Sequence, residues 1–438
     1  MFRPTGFADL AGRRVGLFGF GVEGRAAYAR LEGTCDLVVV DDAPDLAPFV
    51  LATTQGGFDA LLTCDVVVKG PGIPRRREDV VALEAAGVNV TSALNLWLHE
   101  VDLARVVAVT GTKGKSTTTA LIAFFLECLG QRALRVGNIG QPPYDPALDA
   151  SEGWLVLEVS SFQAVDLDLA PATVVVTSLG DDHVDWHGSL EQYRSDKLSL
   201  TRARGAHVTL VADTETLHEV ADQLGGDLRY VATDDDHLAV ALGLLGAHND
   251  SNVALALATV STVTGVSERD LRVAVLEDAT RFSPLRGRLT LVGSEAAERG
   301  LIRYVDDGLA TSVLPTIAAL EVFEGDPVAL IAGGFDRGID YGPLAEAIVA
   351  RRAPTTVISM GNAGVRLADE VRRRRPEIDQ HVATTMPEAV ELARRSVGHG
   401  GVVLLSPAAP SFDRYRNWEE RSDDFVTAVG TVAPRELF

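Results

Sequence analysis

With 438 residues the chain is too long for a single hydrophobic core, and at about 150 residues per domain it calls for roughly three. Its composition, 46% hydrophobic and 23% charged, is that of a globular protein, while a formal net charge of −21 argues against nucleic acid or an anionic membrane as partner. Anionic ligands would therefore need local positive sites.

The N-terminal MFRPTGFADLAGRR lacks the apolar centre of a signal peptide, and no run approaches the ~20 apolar residues of a membrane span, so a cytoplasmic protein without membrane insertion is expected. From residue 14 to about 92, RVGLFGF, CDLVVVDD, DVVVKGPG and VNVTS alternate with Ala/Leu-rich stretches in the βαβ rhythm of a parallel sheet. The first turn of this series, GFGVEG, matches G-x-G-x-x-G in full, with Asp41 and Asp42 at the end of the next strand. On pattern alone that turn suits NAD as well as another nucleotide.

A second series starts with RVVAVTG and runs through WLVLEVSS, ATVVVTSLG and HVTLVAD to the helical NDSNVALALATVSTVTG. FSPLRGRLT then supplies Pro and Gly at a boundary, and RYVDDG, PVALIAGG, TTVISMG and GVVLLSP form a third series. Three consecutive α/β domains are expected, over residues 1–99, 100–283 and 284–438. Cys35, Cys64 and Cys128 are odd in number, isolated and set in apolar segments, so buried reduced thiols without chemistry of their own are expected.

The most informative stretch is Thr110-Gly111-Thr112-Lys113-Gly114-Lys115-Ser116, between the strand 106–109 and a helical run. Backbone N–H groups of such a turn converge on an anion and the helix N-terminus adds its positive end. Lys115 can pair with the β and γ phosphates and Ser116 can ligate Mg²⁺, although the first glycine of G-x-x-x-x-G-K-[ST] is Val109 here. Glu158 closes the apolar WLVLE, where a carboxylate cannot be buried cheaply and a metal ligand beside a P-loop is expected. Tyr193 and Lys197, four residues apart, share one helical face.

TGTKGKSTTT resembles the ATP loop of the Mur ligases, which add amino acids to UDP-N-acetylmuramic acid, and the likeness extends from about residue 13 to 428. It implies a Rossmann-like UDP-binding domain, a central P-loop ATPase domain and a C-terminal Rossmann-like domain. It implies ATP as co-substrate, two Mg²⁺ ions, and transfer of the γ-phosphoryl group to the substrate carboxylate before an amino acid attacks. Gly111 to Thr117 would hold ATP, joined by Asn249 in GAHNDSN, Arg288 in RGR and Asp307 in VDDGLATS. Ser116, Glu158, His183 in DDHVD and Lys197 would serve the metals, Lys197 as a carbamate. Lys115, His183 and Lys197 would be the catalytic side chains. Gly21, Val22, Glu23, Gly24, Asp41, Asp42, Gly70, Asn138, Ser160 and Gln163 would hold the UDP-linked substrate.

GGFDRGIDY and LSPAAPSFDRYRNWEERSDDF resemble the glutamate-adding branch, with Thr311, Arg337, Ser411, Phe412 and Trp418 matching its amino-acid pocket. Two departures fall there. The usual D-S-K-A-T-N reads Asp307-Gly308-Leu309-Ala310-Thr311-Ser312, and the usual C-A-S-[LW] reads Ala409-Pro410-Ser411-Phe412. They and the GTKGKS loop look closer to the branch that adds L-glutamate to UDP-N-acetylmuramoyl-L-alanine, with D-glutamate left open. A folylpolyglutamate-type ligase would lack GFGVEG, a nicotinamide dehydrogenase would leave TGTKGKS unexplained, and a non-catalytic nucleotide-binding module would not need Glu158 and Lys197. A monomer is expected.

Overall fold

The computed structural model describes residues 3–43, 47–233 and 237–432. A first sheet comprises β1 (Arg14–Phe18), β2 (Asp36–Asp41), β3 (Val50–Ala52), β4 (Val66–Lys69) and β5 (Asn89–Thr91), all parallel, in the order β3-β2-β1-β4-β5. Crossover helices cover both faces of such a sheet, which is why its central strands read as continuous valine runs instead of alternating. Ligands of doubly wound sheets sit outside the carboxyl ends of the strands where the order reverses, here between β1 and β4.

The second sheet comprises β6 (Val106–Thr110), β7 (Ala133–Gly137), β8 (Trp154–Glu158), β9 (Thr173–Val176), β10 (Val208–Ala212) and β11 (Asp227–Val231), again parallel, ordered β11-β10-β9-β6-β8-β7. The third comprises β12 (Thr290–Ala297), β13 (Gly300–Asp306), β14 (Val328–Gly333), β15 (Thr355–Met360), β16 (Gln380–Val382) and β17 (Gly401–Leu405), ordered β12-β13-β17-β14-β15-β16. Only β12 is antiparallel, an edge strand on a parallel core. The sequence expectation placed no strand at β12, which is joined to β13 by only Glu298 and Arg299.

The three sheets fall into two compact bodies, one of Met1–Leu238 with His248–Ala279, the other of Ala239–Ala247 with Thr280–Phe438. The first two sheets share one continuous core, in which Leu17, Leu94 and Trp97 pack with Val106, Tyr144 and Leu157. Sheet count and body count differ for that reason. In the second body the core lies on both sides of the third sheet, with Leu330, Val357 and Leu404 facing one way and Ile331, Ile358 and Val403 the other. All three cysteines are free, but only Cys64 is buried. Cys35 and Cys128 are half-buried, since one sits in the turn before β2 and the other ends a helix, which corrects the expectation of three buried thiols. Among the described residues no helix is long and apolar enough to cross a membrane.

Candidate active site

β6 is buried along its whole length and delivers the chain to a turn that needs glycine at two positions. Gly111 and Gly114 hold φ of +139° and +84°, and a Cβ would lie 2.2 Å from Thr177 Oγ1 at the first and 2.4 Å from Asn252 Oδ1 at the second. Gly114 then caps the helix Lys115–Cys128, so that the first turn of backbone N–H groups opens toward the loop. Lys115 Nζ donates to the carbonyls of Gly111 and Thr112 at 2.8 and 3.1 Å, arching over its own loop. The N–H groups of Thr112 and Lys113 are held by Ser178. Ser116 is buried beneath the turn, Thr117 is half-buried and Lys113 is exposed.

Beside this turn the end of β8 and the middle of the helix Leu190–Arg202 bring in opposite charges. Glu158 is 1% exposed; its Oε1 accepts a hydrogen bond from Asn138 Nδ2 at 2.6 Å, while its Oε2 has no hydrogen-bond partner among the described residues. A buried carboxylate oxygen left open in this way suits a hard cation such as Mg²⁺. Lys197, also buried, donates from Nζ to Gly111 O at 2.8 Å and lies 5.0 Å from the ring centre of Tyr193. Burial first, then Lys115, pulls its basicity well below that of an ordinary lysine. Tyr193 exchanges a 2.8 Å hydrogen bond with Thr112, so both residues of the four-residue pair meet the P-loop. His183 sits half-exposed in the left-handed region, φ +47°, against the ring of Phe162 at 4.7 Å, and burial lowers its basicity. Asn249 is buried on the helix His248–Thr264 and accepts a hydrogen bond from Asn252 at 2.8 Å.

At the switch point of the first sheet lies a cleft of about 370 Å³ that takes in Gly21, Val22, Glu23, Gly24, Asp41, Asp42 and Gly70. A Cβ on Gly24 would lie 2.0 Å from Gly19 O, so the last glycine of GFGVEG is what lets helix and loop approach. The two aspartates are already engaged. Asp41 accepts the N–H groups of Phe20 and Ala43, and Asp42 is clasped by both terminal nitrogens of Arg77 and by Thr53. Ser160 and Gln163 form a capping box, and Gln163 Nε2 reaches Glu23 at 2.7 Å. Tyr144 donates to the other oxygen of Glu23 at 2.9 Å; burial raises the affinity of this carboxyl for its proton, against the pull of those two donors. The first and second sheets thus meet at Glu23 of the GFGVEG segment.

Sequence reasoning missed this meeting, and also a second polar knot beneath it. His187 is buried between Asp196 (2.8 Å) and Ser161 (3.0 Å), and Arg76 grips Asp196 with two 3.1 Å bonds. Although burial alone would raise it, the bonds from Arg76, His187 and Gln192 hold the Asp196 carboxyl below its usual range. The available signal was Asp196 itself, a carboxylate one residue before the buried Lys197.

In the second body the candidate residues cluster at the carboxyl ends of its parallel strands. Asp307, directly after β13, is buried, and its Oδ2 accepts from Ser406 at 2.7 Å; burial pushes its carboxyl up to about 7. Arg288 and Arg337 are exposed, Thr311 is half-buried, Ser411 is buried and Phe412 is 63% exposed. Trp418 opens the helix Trp418–Val432, with its ring against Gly287, where a Cβ would lie 2.5 Å from Cζ3.

A phosphate loop with a buried lysine and a buried carboxylate beside it, built on layered parallel sheets, defines a nucleotide-dependent α/β enzyme. The Mur ligase middle domain matches residues 109–227. Relatives named UDP-N-acetylmuramoyl-L-alanine–L-glutamate ligase are 37% identical in a Micromonospora species (97% of this chain, 98% of the relative) and 38% in Salinispora tropica (97% and 99%). One of the same name from Xylella fastidiosa is 35% identical, covering 96% of both chains. Solved structures with the same fold include a UDP-N-acetylmuramate–alanine ligase from Thermotoga maritima, at TM-score 0.54 and 18% identity over 96% of this chain and 100% of that one. A MurF ligase from the same organism, in complex with ADP, matches at TM-score 0.54 and 14% identity over 98% of each chain. The chain belongs to the Mur ligase family.

Proposed function

We propose that this protein is an ATP-dependent ligase that joins L-glutamate to UDP-N-acetylmuramoyl-L-alanine in the cytoplasmic assembly of peptidoglycan precursors. The observation that carries the reading is the convergence of Gly111 to Ser116 with a buried, weakly basic Lys197 and a half-satisfied Glu158. The choice of L-glutamate is supported by the names of the relatives and by the altered turns 307–312 and 409–412.

In this reading residues 1–99 hold the UDP-linked substrate, 100–283 hold ATP and 284–438 hold the amino acid. The terminal phosphoryl group of ATP passes to the alanine carboxylate, the glutamate amine attacks the acyl phosphate, and the amide forms as phosphate leaves. The amine loses its proton in that step. No protein nucleophile is needed, so the chain's contribution is placement and charge. Lys115 lies over the P-loop where the β and γ phosphates of ATP would sit, and the N–H groups of the following helix turn face the same anion. Ser116, Glu158, His183 and Lys197 would hold two Mg²⁺ ions, which when bound neutralise phosphate charge. An amine as weakly basic as that of Lys197 is available to carbon dioxide, which suits a carbamate there. Asn249, Arg288 and Asp307 complete the ATP set. Gln163 acts through Glu23 in addition to any direct contact, because both ends of its amide are already bonded within the protein.

Phosphate release by the purified chain with ATP, Mg²⁺ and UDP-N-acetylmuramoyl-L-alanine tests this directly. Release is expected with L-glutamate and not with D-glutamate. Release with D-glutamate alone reverses the stereochemical assignment, and silence with both overturns the ligase reading.

A further inference from the structure

Arg421 is the least expected charge in the second body. It lies one helical turn beyond Trp418 and is 3% exposed, yet among the described residues no carboxylate bonds it. Its Nη1 donates to Ala409 O at 3.0 Å and its Nη2 to Gly308 O at 2.9 Å. Its Nε has no partner among the described residues. Burial lowers its basicity to about 10, against the pull of the nearby Asp413 and Asp306 carboxylates, neither of which bonds it directly.

The two carbonyls it holds are not neighbours in sequence. Gly308 belongs to the turn after β13 that carries Thr311, and Ala409 to the turn after β17 that carries Ser411 and Phe412. A third turn, after β14 and leading to Arg337, lies against the same guanidinium. A Cβ on Gly334 would sit 3.2 Å from Arg421 Nη1 and 2.2 Å from Pro410 O, at φ +145°, so only glycine fits. The N–H groups of Gly333 and Phe335 bond Pro407 and Pro410, which ties this third turn to the second. Ser422, the next residue of the helix, donates to Asp306 Oδ1 at 3.0 Å, and the same oxygen accepts the Gly308 N–H. The helix end thus fastens two of the turns that bear candidate glutamate residues, the third being tied to the second, and both departures from the usual family motifs lie in the turns held by this arginine.

We propose that Arg421 is a positioning residue for the amino-acid pocket: its planar fork sets the spacing of the turns 307–312 and 409–412, and so sets glutamate affinity without touching glutamate. Two fixed donors aimed at two carbonyls demand a guanidinium, and a lysine, which keeps the charge on a single atom, cannot span both. The inference rests on the ligase reading above.

The test is steady-state phosphate release by Arg421→Lys and Ser422→Ala, with each substrate varied in turn and folding checked by thermal unfolding. For Arg421→Lys the KM for L-glutamate is expected to rise on the order of tenfold, with the KM for ATP and for UDP-N-acetylmuramoyl-L-alanine within about twofold of the unsubstituted protein. Ser422→Ala removes a weaker tie to the same turn and is expected to raise the glutamate KM alone, by less; it carries the test if Arg421→Lys does not fold. Equal changes in all three KM values, or an unchanged glutamate KM in a folded variant, overturn the proposal. An unsubstituted protein silent with either glutamate overturns the ligase reading, and this inference with it.

Discussion

Asp307 is a carboxylic acid whose surroundings favour its proton. Burial is the main cause, the hydrogen bond from Ser406 opposes it, and the result is a group titrating near about 7 instead of 3.8. Between those values the folded chain holds a proton that the unfolded chain has released. Stability therefore falls as pH rises through the window, and the contribution is fully present only below about pH 4. Each unit of displacement is worth ~1.4 kcal/mol, so the total effect is on the order of a few kcal/mol. Asp307→Asn cannot titrate and is expected to flatten this dependence. Hydrogen exchange of the β13 and β17 amides, followed between about pH 4 and pH 7, reads it where it belongs; protection that falls equally in the variant would assign the loss to another group.

The P-loop and its helix show how an element fixes the meaning of a glycine. Gly114 and Gly130 lie at opposite ends of the helix Lys115–Cys128, both in the left-handed region, at φ +84° and +73°. A Cβ at 114 would press on Asn252, whereas a Cβ at 130 would meet nothing within 4 Å. Alanine at 130 then costs only the backbone penalty, ~1 kcal/mol, while alanine at 114 must also move a buried side chain under the phosphate site. Gly130→Ala is expected to keep the full rise in melting temperature on adding ATP and Mg²⁺, and Gly114→Ala to lose most of it. Equal ATP protection in both would mean that the Gly114 turn does not hold the nucleotide. The same contrast explains what could be read from sequence. The P-loop lies within one contiguous stretch, and Tyr193 and Lys197 lie four apart on one helix, so local spacing was enough. The edge strands β3 and β16, of three residues each, do not stand out, whereas β5, equally short, is legible as VNVTS. Contacts between remote segments leave no local trace: Tyr144 to Glu23 spans 121 positions, Arg76 to Asp196 spans 120, and Arg421 to Gly308 spans 113.

For the molecule as a whole, the consequential fact is that the first two sheets form one body held partly by charge. Lys69, the last residue of β4, forms an ion pair with Asp166, just beyond the capping-box helix of the second sheet; their side chains are 0% and 1% exposed. Arg75 reaches the other Asp166 oxygen at 3.1 Å from a partly solvated position. The turn that follows reads Lys69-Gly70-Pro71-Gly72, and Gly70 lines the cleft of the first sheet. Two charges withdrawn from water gain little over a well-packed apolar pair, but removing one strands the other, at a cost of roughly 3–5 kcal/mol. Asp166→Leu is therefore expected to lower the urea midpoint clearly, and Lys69→Met with Asp166→Leu to recover most of the loss. Function should divide in the same way. The single variant should raise the KM for the UDP-linked substrate, whose proposed cleft includes Gly70, and leave the KM for ATP nearly unchanged, because the P-loop hangs from β6 and not from β4. If the double variant is as unstable as the single one, the pair is not what joins the sheets, and the shared apolar core around Leu94, Trp97 and Tyr144 must carry that role alone.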